Sequence, residues 1–228
     1  MKDKSPIGLE TIEVAPLHEV VYQRLTHALM SGQIKPGQKL TSRKIAHELG
    51  TSDMPVRAAL MKLQSLKALD QLPNGSLTLP VMTRQRFADL MSTRLVCEVA
   101  AARAAADAFK KAELKAIQNA SSALTQAAKN KDIDDYLLRN YEFKFMIYRA
   151  CHSESLIFLI ETLWLQVGPF LRQFGSSYAG NLEAILDIDY HEEIVEALGR
   201  GDGDAAAEAL RKDIADGMAF LLEHGEFQ

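Results

Sequence analysis

Hydrophobic positions along this chain recur almost everywhere at the three-to-four-residue spacing of an amphipathic helix, and the spacing changes only near residue 70. LHEVVYQRLTHALMSG places Leu17, Val21, Leu25 and Leu29 at i+4 steps, with Gly32 as the stop. A second helix is predicted over Ser42 to Leu49, with Ile45 and Leu49 on one face and Gly50 just past its end. A third opens at Ser52 and Asp53, both good capping types, and tolerates Pro55 in its first turn. Val56, Leu60, Leu63 and Leu66 form its apolar stripe, which turns Ser52, Asp53, Arg57, Met61 and Lys62 outward. Beyond Leu69 the period breaks. Leu72 and Leu77 flank Pro73-Asn74-Gly75-Ser76, and Asn-Gly between apolar runs signals a hairpin. Helices and hairpin in this order predict a winged helix-turn-helix, whose second helix can enter a DNA major groove.

From Arg84 onward the pattern is helical throughout. Helices are expected over 84–109, 113–129, 133–152, 155–174 (kinked at Pro169), 182–198 and 205–223, with 175–181 as a loop. Six such helices make an antiparallel bundle. The expected fold is therefore mainly α: an N-terminal winged helix-turn-helix over 16–82 and a C-terminal antiparallel all-helical bundle over 83–228. Residues 1–15 are read as a flexible tail.

A chain of 228 residues, 47% hydrophobic, has room for two folded domains. Nowhere do about 18 apolar residues run together, and MKDKSPIGLE lacks the apolar core of a signal peptide. A cytoplasmic protein without a membrane partner is expected. Cys97 and Cys151 lack metal-like spacing and sit in apolar helical patterns, so buried free thiols are expected. The net charge of −4 conceals a split. Residues 17–83 hold eight Lys or Arg against four acids, while 84–228 hold 16 against 23. A basic small module beside an acidic larger one suits a phosphate-facing head carried by a regulatory partner.

SGQIKPGQKL, LTSRKIAHELGTSDMPVRAALMKL and QLPNGSLTL together resemble the GntR family of bacterial transcription regulators. The family run L-G-V-S-R-x-P-V-R-E-A-L falls on Leu49 to Leu60, with Asp53 in place of an arginine and Ala58 in place of a glutamate. The resemblance implies that Arg43, Ser52 and Arg57 face operator DNA, with Gly75 at the wing tip. Guanidinium chemistry agrees for Arg57, which can grip guanine or phosphate. Asp53 reads better as a first-turn charge favourable to the helix dipole than as a base contact.

The bundle resembles the ligand-sensing domain of the FadR branch, the type called FCD. In that type a carboxylate and a histidine four apart, with two later histidines, hold a divalent metal that presents itself to a small carboxylate. Here Asn140 and Lys144 occupy the first pair, His191 keeps the third position, and Asp213 stands at the fourth. Arg94 and Glu98 match the arginine and glutamate of the first sensor helix. An ammonium cannot ligate a cation, so Lys144 and Asp213 are expected to pair with one another, with no metal or other cofactor. The resemblance and these charges give Arg94, Asn140, Lys144, His191 and Asp213 as effector-binding residues. The effector itself is expected to be a small anionic metabolite.

The expected function is a sequence-specific transcription regulator, homodimeric on a palindromic operator and without catalytic residues. Two other classes compete. One is a winged-helix interaction module that has lost its DNA target, as Asp53 and Ala58 suggest. The other is a small-molecule enzyme on the bundle with His191 as base and Lys144 as stabiliser, for which no nucleophile elbow or phosphate loop speaks.

Overall fold

Each helix of the N-terminal core buries the middle of the stripe its spacing predicts, while Leu49 and Leu66 at the ends of two stripes are half-buried. The computed structural model describes residues 16–228 apart from 107, 110, 179 and 180, so the expected tail over 1–15 lies outside the described residues. Helix α1 (Leu17–Met30) buries Val21, Leu25, Leu29 and Met30. Leu17, at its first position, stays exposed, so the stripe starts a turn later than its spacing predicts. In α2 (Ser42–Leu49) the Thr41 hydroxyl accepts the Lys44 N–H at 3.4 Å, and Gly50 closes the helix at φ 63°. Val56, Ala59, Leu60 and Leu63 of α3 (Asp53–Ser65) complete the three-helix core.

The wing is short. Strands β1 (Asp70–Gln71) and β2 (Leu77–Thr78) pair antiparallel, with Asp70 opposite Thr78 and Gln71 opposite Leu77. A bridge from Leu40 to Leu77 ties the wing to the segment before α2. Between the strands, the Gly75 N–H donates to the Leu72 carbonyl at 2.9 Å, and Gly75 adopts φ 81°. Asn74 accepts from the Ser76 N–H at 3.0 Å, the local bond that makes asparagine a turn residue.

The bundle comprises α4 (Arg84–Ala105), α5 (Lys111–Lys129), α6 (Ile133–Ala150), α7 (Glu154–Val167), α8 (Gln173–Ser177), α9 (His191–Gly199) and α10 (Gly203–His224). Side chains of Thr83, Asp132, Ser153 and Asp202 cap α4, α6, α7 and α10. Helices α4 and α10 run antiparallel in close contact. A Cβ on Gly203 would lie 2.7 Å from the Arg103 carbonyl, and Arg84 donates to the Leu222 carbonyl at the other end. Alanine-rich surfaces allow that approach.

Three expectations change. Pro169 does not kink a continuous helix: α7 stops at Val167 and the chain continues as a 3-10 turn over 168–172, where proline needs no helical N–H. The helix expected over 182–198 is split into a 3-10 turn, Leu182–Asp187, and α9. The break is local chemistry, because the Asp189 carboxylate accepts the His191 backbone N–H at 3.1 Å and competes with helix continuation. Cys97 and Cys151 are free as expected, but half-buried. By length and composition Glu154–Ser177 is apolar enough to cross a membrane, yet Ile160, Trp164, Leu165 and Val167 are packed inside the bundle.

Head and bundle meet along a defined seam. A Cβ on Gly168 would lie 2.9 Å from the Met30 carbonyl, so α1 rests directly on the bundle backbone. Arg172 donates to the Gly32 carbonyl at 2.8 Å. Phe227, past the end of α10, packs its ring 5.6 Å from that of Phe87 and 5.1 Å from that of Phe170. The Gln228 N–H reaches the Met82 carbonyl, in the segment joining wing to bundle, at 3.3 Å.

Candidate DNA-reading face and sensor cavity

On the head, α3 and the wing frame a groove of about 220 Å³ whose walls include Arg57, Met61, Gln64 and Gly75. Arg57 and Gly75 are therefore brought to one surface. Arg57 is exposed, and its Nε lies 2.9 Å from Asp53 one turn earlier. Asp53 thus opens α3 with a charge favourable to the helix dipole and pairs with Arg57. Ser52 is the N-cap residue, yet its hydroxyl makes no cap hydrogen bond and stays exposed. Arg43 is exposed on α2. Met54 and Met61 are 79% and 68% exposed on the same helix as Arg57, a large apolar surface for a solvated face.

In the bundle, Tyr136, Asn140 and Lys144 succeed one another at four-residue steps on α6 and line a single face. Opposite them stand Arg94 from α4 and Asp213 from α10, around a cavity of about 40 Å³. The expected ion pair forms: Lys144, 2% exposed, donates to the Asp213 carboxylate. Asp213 nevertheless sits above the ordinary carboxylate value of 3.8, because burial opposes its charge and outweighs Lys144, while Asp189 adds repulsion. Asn140 lines the cavity, and its carboxamide makes no side-chain hydrogen bond among the described residues.

Arg94 belongs to a second, saturated network. Its Nε and Nη2 donate to the two Glu98 oxygens at 2.5 and 3.1 Å, and its guanidinium lies 4.5 Å from the Trp164 ring. Glu98, fully buried, also accepts from Trp164 Nε1 at 2.9 Å and from the Tyr148 hydroxyl. Burial alone would lower the Arg94 pKa, but the charge and hydrogen bonds of Glu98 raise it.

His191 is turned from the cavity. Its Nδ1 lies 2.6 Å from Asp189, and its Nε2 lies 2.8 Å from the Thr125 hydroxyl, so both ring nitrogens are engaged. Burial works against protonation, yet the hydrogen bond and charge of Asp189 raise the pKa above 6.5. Asp189 is held below the ordinary range, since His191, Lys144 and the Tyr136 hydroxyl (2.7 Å) outweigh burial. The sequence reading missed Asp189, Tyr136 and Thr125. Asp189 was readable only as a carboxylate two residues before His191, and nothing in the helical spacing pointed to the break that aims it inward.

These residues do not fit a divalent metal. The position two helical turns from Tyr136 presents an ammonium already bound to the carboxylate opposite, and the histidine is committed elsewhere. Among the described residues no three His, Cys, Asp or Glu side chains converge as a metal would require.

Comparison with known proteins now bears on both faces. Residues 17–78 match the family described as bacterial regulatory proteins, gntR family, and residues 89–216 match the FCD domain. The chain belongs to the GntR family, in its FCD branch. It is similar to the HTH-type transcriptional regulator McbR of Escherichia coli (strain K12), 27% identical over 199 residues, 87% of this chain and 90% of that one. It is also similar to a probable D-xylose utilization operon transcriptional repressor of Paenarthrobacter nicotinovorans, 25% identical over 187 residues, 82% and 80% of the two chains. The solved structure of E. coli McbR/YncC superposes with a TM-score of 0.85 at 26% identity, covering 93% of this chain and all of that one. As a GntR regulator the chain is a DNA-binding transcription factor with an effector-binding bundle.

Proposed function

We propose that residues 16–82 read an operator through α3 and the wing, and that a small metabolite in the cavity between α4, α6 and α10 controls that binding. The observation that carries the reading is the groove between Arg57 and Gly75, which joins a helix N-terminal half to a wing tip. Arg57 supplies base and phosphate contacts from the wall of this groove, and Arg43 and Ser52, exposed outside its lining, supply phosphate contacts. Arg94, Asn140, Lys144 and Asp213 surround the effector, and His191 acts indirectly by fixing Asp189. With both ring nitrogens engaged, His191 makes a poor general base, which favours a regulator without catalysis.

The regulator acts as a homodimer, since one head on one half-site holds DNA weakly at physiological salt. Phe158 and Leu159 on α7 and Val96 on α4 are large apolar side chains in solvent, and they support a subunit contact through the bundle. Binding to chromosomal DNA places the protein in the cytoplasm. The test is a gel shift of the fragment upstream of its own coding sequence. A shift that weakens steeply with salt and with unlabelled specific competitor is expected; equal competition by random duplex would refute sequence-specific reading.

A further inference from the structure

The charges around the sensor cavity are matched pair by pair. Lys144 faces Asp213, Arg94 holds Glu98, and His191 meets Asp189. A lone anion on the remaining donors of Lys144 would meet the repulsion of Asp213, or displace it and leave a buried carboxylate without its counter-ion. A lone cation that took Asp213 would strand the Lys144 ammonium, which is 2% exposed. Stranding a buried charge is the costly way to break an ion pair. A ligand that parts this pair leaves neither side stranded only if it carries both charges. We propose that the effector is a small zwitterion of the α-amino-acid class that inserts between Lys144 and Asp213, its carboxylate on the lysine and its ammonium on the aspartate.

Three further observations fit this occupant. Asn140, one turn before Lys144 on α6, lines the same cavity with a carboxamide that makes no side-chain hydrogen bond among the described residues and can both donate to and accept from the ligand. The cavity of about 40 Å³ has room for roughly three waters. The smallest amino acids, glycine and alanine, therefore fit once Lys144 and Asp213 part, and a long side chain does not. Met91, Ile188 and Ile214 provide an apolar wall that a charged side chain would not share. The Lys144–Asp213 pair links α6 to α10, so a ligand between the two side chains bears on both helices. Helix α10 leads into Phe227 and Gln228, which hold Phe87, Phe170 and the Met82 carbonyl at the base of the head.

This inference rests on reading the bundle as the sensing part of the regulator. Calorimetric titration of the full chain with glycine, L-alanine, sodium acetate and methylammonium chloride, at constant ionic strength, tests it. Wild type should bind one of the amino acids at least about tenfold more tightly than acetate or methylammonium. Asp213→Asn should reverse the order in favour of acetate, and Lys144→Met in favour of methylammonium. A wild type that prefers acetate, a wild type that binds none of the four, or well-folded variants that keep the wild-type order would each overturn the proposal. Operator binding by the same preparation is read separately. Its absence refutes the reading on which the proposal rests, and its presence with the wrong ligand order refutes the ligand class alone.

Discussion

Replacing Glu98 by glutamine removes one charge and almost no volume, and it should unfold this bundle far more easily than its size suggests. The carboxylate accepts four hydrogen bonds: two from Arg94, one from Trp164 and one from Tyr148. An amide has one oxygen, which can accept two of them, and its NH2 group faces the Arg94 Nη2 donor and the Tyr148 hydroxyl, which has to turn round to accept. One charge-assisted bond is therefore lost and one buried bond reversed, at about 1.5–3 kcal/mol. Counted instead as an ion pair broken from one side, with Arg94 only 3% exposed, the loss is about 3–5 kcal/mol. The two estimates meet at about 3 kcal/mol. Against a total stability of order 5–15 kcal/mol this is a large share. At about 2–4 °C per kcal/mol for a chain of this length, the melting temperature should fall by about 6–20 °C. Urea unfolding followed by the fluorescence of Trp164, the sole tryptophan and itself a donor to Glu98, reads the change at the site. Adding Arg94→Met to Glu98→Gln should recover part of the loss, because the stranded charge goes with it. A loss below about 1 kcal/mol in the single variant would show that the network is not the bundle's central fastening.

Other perturbations separate the remaining parts of the account. Asp53→Asn should raise operator affinity several-fold at low salt and less at high salt, since it frees Arg57 and removes a carboxylate facing phosphate; gel shifts across a salt series check this. His191 has a raised folded pKa, so its pairing with Asp189 stabilises fully below the unfolded value of 6.5 and is lost as pH rises through the folded value. The stability gap between wild type and His191→Gln should accordingly narrow as pH climbs above 6.5, and a gap that widens would reverse the assignment. Gly168→Ala should push α1 off the bundle at a cost of about 1–3 kcal/mol, because the new Cβ meets backbone rather than a flexible side chain. Hydrogen exchange over Leu29–Gln33 should then quicken while that of α10 stays unchanged.

Helix periodicity carried most of the architecture. The stripes of α2 and α3 emerged at their predicted places because each buries one face, which is what spacing encodes. The Lys144–Asp213 pair was legible too, but only through the family resemblance, which set the two opposite charges at neighbouring positions of one site. What spacing could not show was local competition for backbone groups. Asp189 breaks the helix before α9 with its own side chain and thereby swings His191 onto Thr125, away from the cavity where the family resemblance put it. The seam was equally hidden, since Gly168 reads as an ordinary helix weakness until α1 is found resting upon it. Met54 gave no helical-core signal, and only its 79% exposure marks it as part of the outward face of α3.

Selection of binding sites from a pool of random duplexes tests the central claim most directly. The account predicts enrichment of one sequence with two inverted half-sites separated by about one helical turn, one for each head of the dimer. Arg57→Ala, exposed and outside the apolar stripe, should keep its stability within about 0.5 kcal/mol and lose roughly 1–3 kcal/mol of affinity for that sequence. Failure of the wild type to enrich any sequence, or equal affinity of Arg57→Ala for the selected site, would contradict operator reading by α3 and the wing.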